Sequence, residues 1–275
     1  MPPALWSAAS RMRSTPRTYP TFAAAATAAG ANDGYASSDL ARITLQKTLI
    51  ARKKGLTELA WHNGAALYIG LTYTAALLQS KSLRVLDFGG SLGFHAMVCA
   101  KVLPEIATRW AVIESPTLAS VARPIESESL RVFTRLDDAV EWLGGVDLMH
   151  SSGTVQCLQD PDQTIRSLAG LGAPVLLWQR MMFAHTERTY VVKTYKLSED
   201  YDGLGRYLPE GFEDRPVRMP LTYVTEAELQ SACGDDYRLV IRVPPFDDSW
   251  DHGLATFGTV LLYVRRQEDR LQQVL

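Results

Sequence analysis

Residues Val85-Leu86-Asp87-Phe88-Gly89-Gly90-Ser91-Leu92-Gly93 constrain the fold of this 275-residue chain more than any other stretch. A short apolar run ends in an acid, a glycine-rich bend follows, and apolar sequence resumes at Phe94. That is the pattern of a buried strand turning into a helix. Glycines in such a turn let a ligand lie against the backbone at a helix N-terminus, where unpaired amides favour a carboxylate or a phosphate. The next apolar run, Arg109-Trp110-Ala111-Val112-Ile113, ends at Glu114, 21 residues past Gly93. A carboxylate there can accept both hydroxyls of a ribose. The two features together imply a nucleoside-type ligand at the carboxyl edge of a sheet.

The acid at position 87 narrows the ligand. A dinucleotide fingerprint reads G-x-G-x-x-G, whereas here a carboxylate precedes the first glycine by two residues. Asp87 would repel a pyrophosphate and suits a cationic ammonium. S-adenosylmethionine carries an ammonium, a sulfonium and a ribose but no phosphate, and the acid-first bend favours it over a nicotinamide dinucleotide.

Strands and helices alternate downstream of residue 83. Strands are expected over 83–88, 109–114, 130–133, 146–152 and 173–178, with helices over 94–102, 117–123, 136–143 and 163–171 between them. This spacing predicts a parallel, doubly wound α/β sheet. Two runs, 237–243 and 259–264, alternate like final strands and pair as an antiparallel addition, after a helix over 226–233 capped by Thr225. Residues 181–222 carry Pro209, Pro216, Pro220 and many tyrosines without a clean period, and read as a long excursion over the sheet. Upstream, Thr21 caps a short helix that Gly30 ends, Ser37-Ser38-Asp39 opens a second helix closed by Gly55, and a third spans 56–78 with Trp61, Tyr68 and Tyr73. The expected organisation is a flexible tail over 1–16, an N-terminal helical cap over 17–80, and a catalytic domain over 81–268 with the insert at about 181–222.

Composition excludes several classes. Lys and Arg number 28 against 30 Asp and Glu, a net charge of −2, so no basic field exists to hold nucleic acid or an anionic membrane. Three scattered cysteines, Cys99, Cys157 and Cys233, form no C-x-x-C and no zinc spacing, so no metal is expected and a reducing cytoplasm is. Arg11, Arg13 and Arg17 precede an alanine-rich stretch too short to cross a bilayer, which reads as a helix rather than a leader. Asp235-Asp236 and Asp247-Asp248 read as solvated turns, and Asp147 as part of the strand framework.

The segment 85–93 resembles that of the class I methyltransferase superfamily. More narrowly, the chain is similar to a bacterial family of methyltransferases whose pattern includes D-F-G-G-S-x-G, W-x-V-V-E, D-L-V-L-x-S-x-V-L-Q-Y-L-x-D-P and a strand ending in D-R. Here the matches are the bend at 87–93, Trp110-Ala111-Val112-Ile113-Glu114, the run from Val146 through Ser152, Gln156 and Leu158 to Asp160-Pro161, and Gln179-Arg180, with Tyr19-Pro20-Thr21-Phe22 and Gly34-Tyr35 upstream. The resemblance covers about residues 19–265. It implies a Rossmann-like seven-stranded sheet, mostly parallel with an antiparallel C-terminal strand. It also implies S-adenosylmethionine as cofactor. By position, Asp87 would sit near the methionine ammonium, directly or through water. Gly89, Gly90, Ser91 and Gly93 would line the methionine and ribose side, and Glu114 would hold the diol. Asp137 would meet the adenine, with Asp138 competing, and Ser151 and Ser152 would lie near the methyl donor. Three positions depart from the pattern: Gln179 replaces an acid, His150 a small or apolar residue, and His95 a small or polar one.

Methyl transfer needs an aligned acceptor and, for a hydroxyl or protonated amine, a proton acceptor. Histidine suits that task, and there are five: His62, His95, His150, His185 and His252. His150, at the fourth strand's exit, is the first candidate base and His185, after the fifth strand, the second. His95 reads as a helix-start contact to the cofactor region. Arg180 is a candidate clamp for an anionic substrate group, and Tyr190, Tyr195, Tyr201 and Tyr207 are candidates to line an acceptor pocket. The expected activity is methylation of a small molecule, at an oxygen of a sugar or secondary metabolite first and at an amine nitrogen second. The rivals are a nicotinamide-dependent oxidoreductase and a cofactor-binding protein without turnover. Oligomeric state is left open, a homodimer included.

Overall fold

The computed structural model describes residues 17–30, 34, 37–54, 60–199, 208–243 and 253–268, with side chains left aside at 60–63, 256–258 and 268. The expected tail 1–16, Tyr35, the side chains of Trp61 and His62, Tyr201, Tyr207, Asp247-Asp248 and His252 lie outside the described residues.

A seven-stranded sheet forms the centre. Its strands are β2 (Ser82–Phe88), β3 (Ala107–Ile113), β4 (Leu130–Phe133), β5 (Leu148–Ser152), β6 (Val175–Ala184), β9 (Tyr237–Val243) and β10 (Ala255–Arg265). They lie in the order β4-β3-β2-β5-β6-β10-β9. Pairings from β4 through β6 are all parallel, and β10 runs antiparallel to both β6 and β9. The mostly parallel sheet with one antiparallel C-terminal strand is therefore the architecture of this chain.

Both faces of the sheet are apolar because helices cover both. On one face, Leu86, Met149, Leu176 and Leu261 pack with Ala139 and Leu143 of α6 (Leu136–Leu143), Ile165 and Leu168 of α7 (Pro161–Ala169), and Leu229 of α8 (Glu226–Cys233). On the other, Val85, Val112, Leu148 and Leu177 meet Leu67 and Leu71 of α3 (Ala60–Leu78), Cys99 of α4 (Phe94–Val102) and Leu118 of the one-turn α5 (Pro116–Ala119). The turn chemistry follows the sequence. Thr21 Oγ1 accepts from the Ala24 amide, Asp160 from the Gln163 amide, and Thr225 with Glu228 closes a capping box.

The segment 181–222 differs from the expected excursion. β6 runs past the end of β5 to Ala184, still paired with β10, and β7 (Thr189–Lys196) pairs with β8 (Pro216–Tyr223) as an antiparallel ribbon. A two-residue β1 (Thr18–Tyr19) adds to β7, giving a second sheet in the order β1-β7-β8. Pro216 and Pro220 hid this ribbon from the sequence. β8 is an edge strand with β7 as its ladder neighbour, where proline's missing amide is tolerated. Val191, Val217, Met219 and Leu221 of the ribbon pack against Leu40 and Ile43 of α2 (Ser38–Lys54).

The helical segment at 17–80 divides between the two sheets. α1 (Phe22–Ala29) packs on β7 and β8, α2 touches α5, and α3 lies on the central sheet against β2, β5 and β6. Among the described residues no helix is long and apolar enough to cross a membrane.

Candidate functional site

Chain order reverses at β2, which has β3 on one side and β5 on the other. In an open α/β sheet the crevice outside the carboxyl ends of such strands is where ligands bind. The glycine-rich bend occupies that point. Gly89 and Gly93 both have φ +71°, in the left-handed region, and Ser91 follows them there at φ +55°. The Gly89 amide donates to the Ile113 carbonyl at 2.9 Å, which ties the bend to β3.

Gly90 has a steric reason of its own. A Cβ there would run into the Asp87 carboxylate, over which the bend passes. We expect Gly90→Ala to cost about 1–3 kcal/mol in urea unfolding, an overpacking cost against a neighbour that cannot step aside. A wild-type midpoint would show that Asp87 is free to move.

Glu114 follows β3 and is half-buried. Its own amide donates to the Phe133 carbonyl at 2.9 Å. Its Oε1 accepts from the Ser91 amide at 2.9 Å, and its Oε2 from the Ser115 amide at 2.8 Å. The carboxylate is thereby fixed in the mouth of the bend.

Asp87 faces inward. It is fully buried, and its two oxygens divide among three donors. Nδ1 of His150 lies 2.8 Å from Oδ1, while Nδ1 of His95 lies 2.9 Å and Nε1 of Trp110 3.3 Å from Oδ2. His150 Nε2 stands 3.3 Å from the Gln179 side-chain oxygen. Burial by itself pushes the Asp87 carboxyl up. The electrostatic attraction of His150 and His95 and their hydrogen bonds outweigh it and hold Asp87 well below the usual carboxylate range. The donor atoms of Asp87, His95 and His150 all lie within 4.8 Å of one another, a spacing that a metal ion can bridge. Residue spacing alone does not announce this convergence, because the three positions come from two strands and a helix.

The other expected site residues fall into distinct positions. Ser151 is fully buried and its hydroxyl donates to the Phe88 carbonyl at 3.0 Å, so it staples β5 to β2. The Ser152 hydroxyl is buried without a hydrogen-bond partner. Asp137 opens α6 with a side chain 89% exposed, 3.7 Å from Arg135. Arg180 sits half-buried at φ +55°, on β6 just past the Ser152 pairing with Gln179. His185 is exposed in the turn after β6, six residues beyond Gln179. His150 has both ring nitrogens engaged and no exposure, which removes it from contact with an acceptor in this conformation.

Parts of the pattern around 152–161 have structural roles. The Gln156 side-chain oxygen accepts from the Met182 amide at 3.0 Å, and Asp160 with Pro161 starts α7. Trp110 and Gln179 belong to the polar cluster, yet the sequence singles out neither for it. Trp110 reads only as part of a strand, and Gln179 as a replaced acid.

Neither a protein-family model nor a curated protein matches the chain. Solved structures similar in chain path include an S-adenosylmethionine-dependent methyltransferase from Clostridium acetobutylicum ATCC 824, at 10% identity over 73% of this chain and 90% of that one, with a TM-score of 0.44. The sugar N-methyltransferase KedS8 from Streptoalloteichus sp ATCC 53650 aligns at 15% identity over 79% of this chain and 92% of its own, TM-score 0.45. The 1,6-didemethyltoxoflavin-N1-methyltransferase of Burkholderia thailandensis aligns at 15% identity over 82% and 88%, TM-score 0.43. These distances are too great for a residue-by-residue comparison.

Proposed function

We propose that this protein is an S-adenosylmethionine-dependent methyltransferase acting on a small molecule. The observation that carries the reading is the Glu114 carboxylate bonded to the Ser91 amide inside the bend. In a dinucleotide site the amides of such a bend face a diphosphate. Here one of them is given to a carboxylate, which would repel a diphosphate and suits a phosphate-free, positively charged nucleoside. The antiparallel β10 between β6 and β9 is the addition that the class I resemblance implies.

The residues fit that cofactor. Gly89 and Gly93 shape a bend that a ligand can approach closely, and Glu114 can accept from both ribose hydroxyls. Asp137, exposed at the start of α6, is the residue we assign to the adenine, and the partnerless Ser152 hydroxyl is a buried group ready for a hydrogen bond. When bound, the cofactor supplies an electrophilic methyl group. Ser151 fixes the edge of β5 beside the bend. Arg180, on β6 just past its pairing with β5, is the group we assign to an anionic part of the acceptor. His150 serves as a positioning residue that holds Asp87. His185, exposed in the turn after β6, is the candidate base we retain, and alignment of the acceptor supplies the rest of the catalysis.

Within this reading the acceptor atom is an oxygen of a sugar or secondary metabolite first, an amine nitrogen second. Three scattered cysteines in the sequence favour a reducing cytoplasm. Calorimetric titration with adenosylhomocysteine and with NADH tests the proposal. We expect saturable binding of the first and none of the second. The reverse result would establish the oxidoreductase reading. Binding with no methyl transfer across a broad panel of hydroxyl and amine acceptors would favour a binding protein without turnover.

A further inference from the structure

We propose that His95 carries the charge of Asp87 to the ligand, accepting a hydrogen bond from the ammonium of its amino-acid tail. This rests on the cofactor reading above and adds a contact to it. An acid ahead of the bend would ordinarily be the partner of that ammonium, but Asp87 has no exposed surface and three donors already on its oxygens. His150 is equally enclosed. His95 keeps 16% of its side chain exposed, so within this trio it is the member that a ligand can reach.

The hydrogen bonding sets what His95 offers. An ionised carboxylate only accepts, so the nitrogen facing it, Nδ1, must hold a proton. In the neutral ring Nε2 is then the acceptor, and the buried carboxylate behind it makes that nitrogen a better one. His95 stands in the first turn of α4, a nine-residue helix whose start follows the bend directly. The amides of a helix N-terminus favour an anion. An amino-acid zwitterion fits both: its carboxylate meets the amides and its ammonium donates to Nε2. Two of the positions at which the sequence departs from the pattern it resembles, 95 and 150, thus meet on one carboxylate. One departure passes the charge outward and the other holds it in place.

The test compares two ligands that differ in the tail. Adenosylhomocysteine has the amino-acid group, and 5′-methylthioadenosine keeps the adenosine and sulfur without it. In calorimetry, His95→Ala is expected to weaken adenosylhomocysteine by about tenfold or more while leaving methylthioadenosine within about twofold of wild type. His95→Gln, whose amide oxygen can accept from an ammonium, is expected to recover part of the loss. Far-UV circular dichroism and the thermal midpoint confirm that each variant folds. Equal losses for both ligands, or no loss for either, overturn the assignment. Wild-type protein that binds methylthioadenosine no more weakly than adenosylhomocysteine overturns it too. Wild-type protein that binds neither ligand fails the cofactor reading itself, and the contact with it. Uptake of one equivalent of Co²⁺ that His95→Ala abolishes, and that displaces adenosylhomocysteine, would make the trio a metal site instead.

Discussion

Asp87→Ala is expected to destabilise the protein by about 3–5 kcal/mol and to lower its Tm by roughly 6 °C or more. The loss of side-chain volume is the smaller part. The larger part is the fate of His95, His150 and the Trp110 N–H, which would face an apolar hole where they now face a carboxylate. Leaving such groups buried without a partner costs far more than the original hydrogen bonds contributed net. Asp87→Asn keeps the shape but turns an amide nitrogen toward a ring N–H, so it should also destabilise, by less. Chemical unfolding measures both. An alanine variant unfolding within about 1 °C of wild type would mean that the buried cluster does not form.

Acid should reveal the same residue. Asp87 is held below its ordinary value in the folded protein, so the unfolded chain takes up the proton first as pH falls. The stability linked to this group is therefore fully present above the ordinary carboxylate range of about 4 and is lost progressively below it. In Asp87→Ala this part of the acid dependence should vanish, leaving a flatter stability profile below that pH.

The second large effect is on binding. Glu114→Ala is expected to weaken adenosylhomocysteine by about 1.5–3 kcal/mol, or roughly 10- to 150-fold in Kd. Two causes act together. The ribose hydroxyls lose a charged acceptor, and the Ser91 and Ser115 amides lose the group that orders the mouth of the bend. Glu114→Gln retains one oxygen for one amide and should fall between the two. Because Glu114 is half-buried at a loop, its removal should move the unfolding midpoint less than that of Asp87. Calorimetry beside thermal unfolding separates the two variants. Unchanged affinity in Glu114→Ala would take it out of the site.

Much of the fold was legible because its signals are local. The run from Val85 to Gly93 announces strand, bend and helix within nine residues, and the structure places β2, the left-handed Gly89 and Gly93, and α4 there. The caps at Thr21 and Thr225 are equally short-range. The β7–β8 ribbon was not legible, because Pro216 and Pro220 read as breakers until β8 is known to be an edge. α3 offered no clue that it lies on the central sheet, since a helix apolar on most sides does not declare which face it buries.

Residue order alone determined that a carboxylate precedes the bend and that another ends the following strand. It could not determine which way the first one points. The parallel pairing of β2 with β5 sets His150 opposite Asp87 across 63 residues of chain, and the first turn of α4 brings His95 down on the same oxygens. Alternation along a strand assigns each side chain to a face, but the register between distant strands chooses what waits on that face. The tertiary structure therefore turned Asp87 into a buried anchor and left Glu114 as the carboxylate at the mouth of the bend.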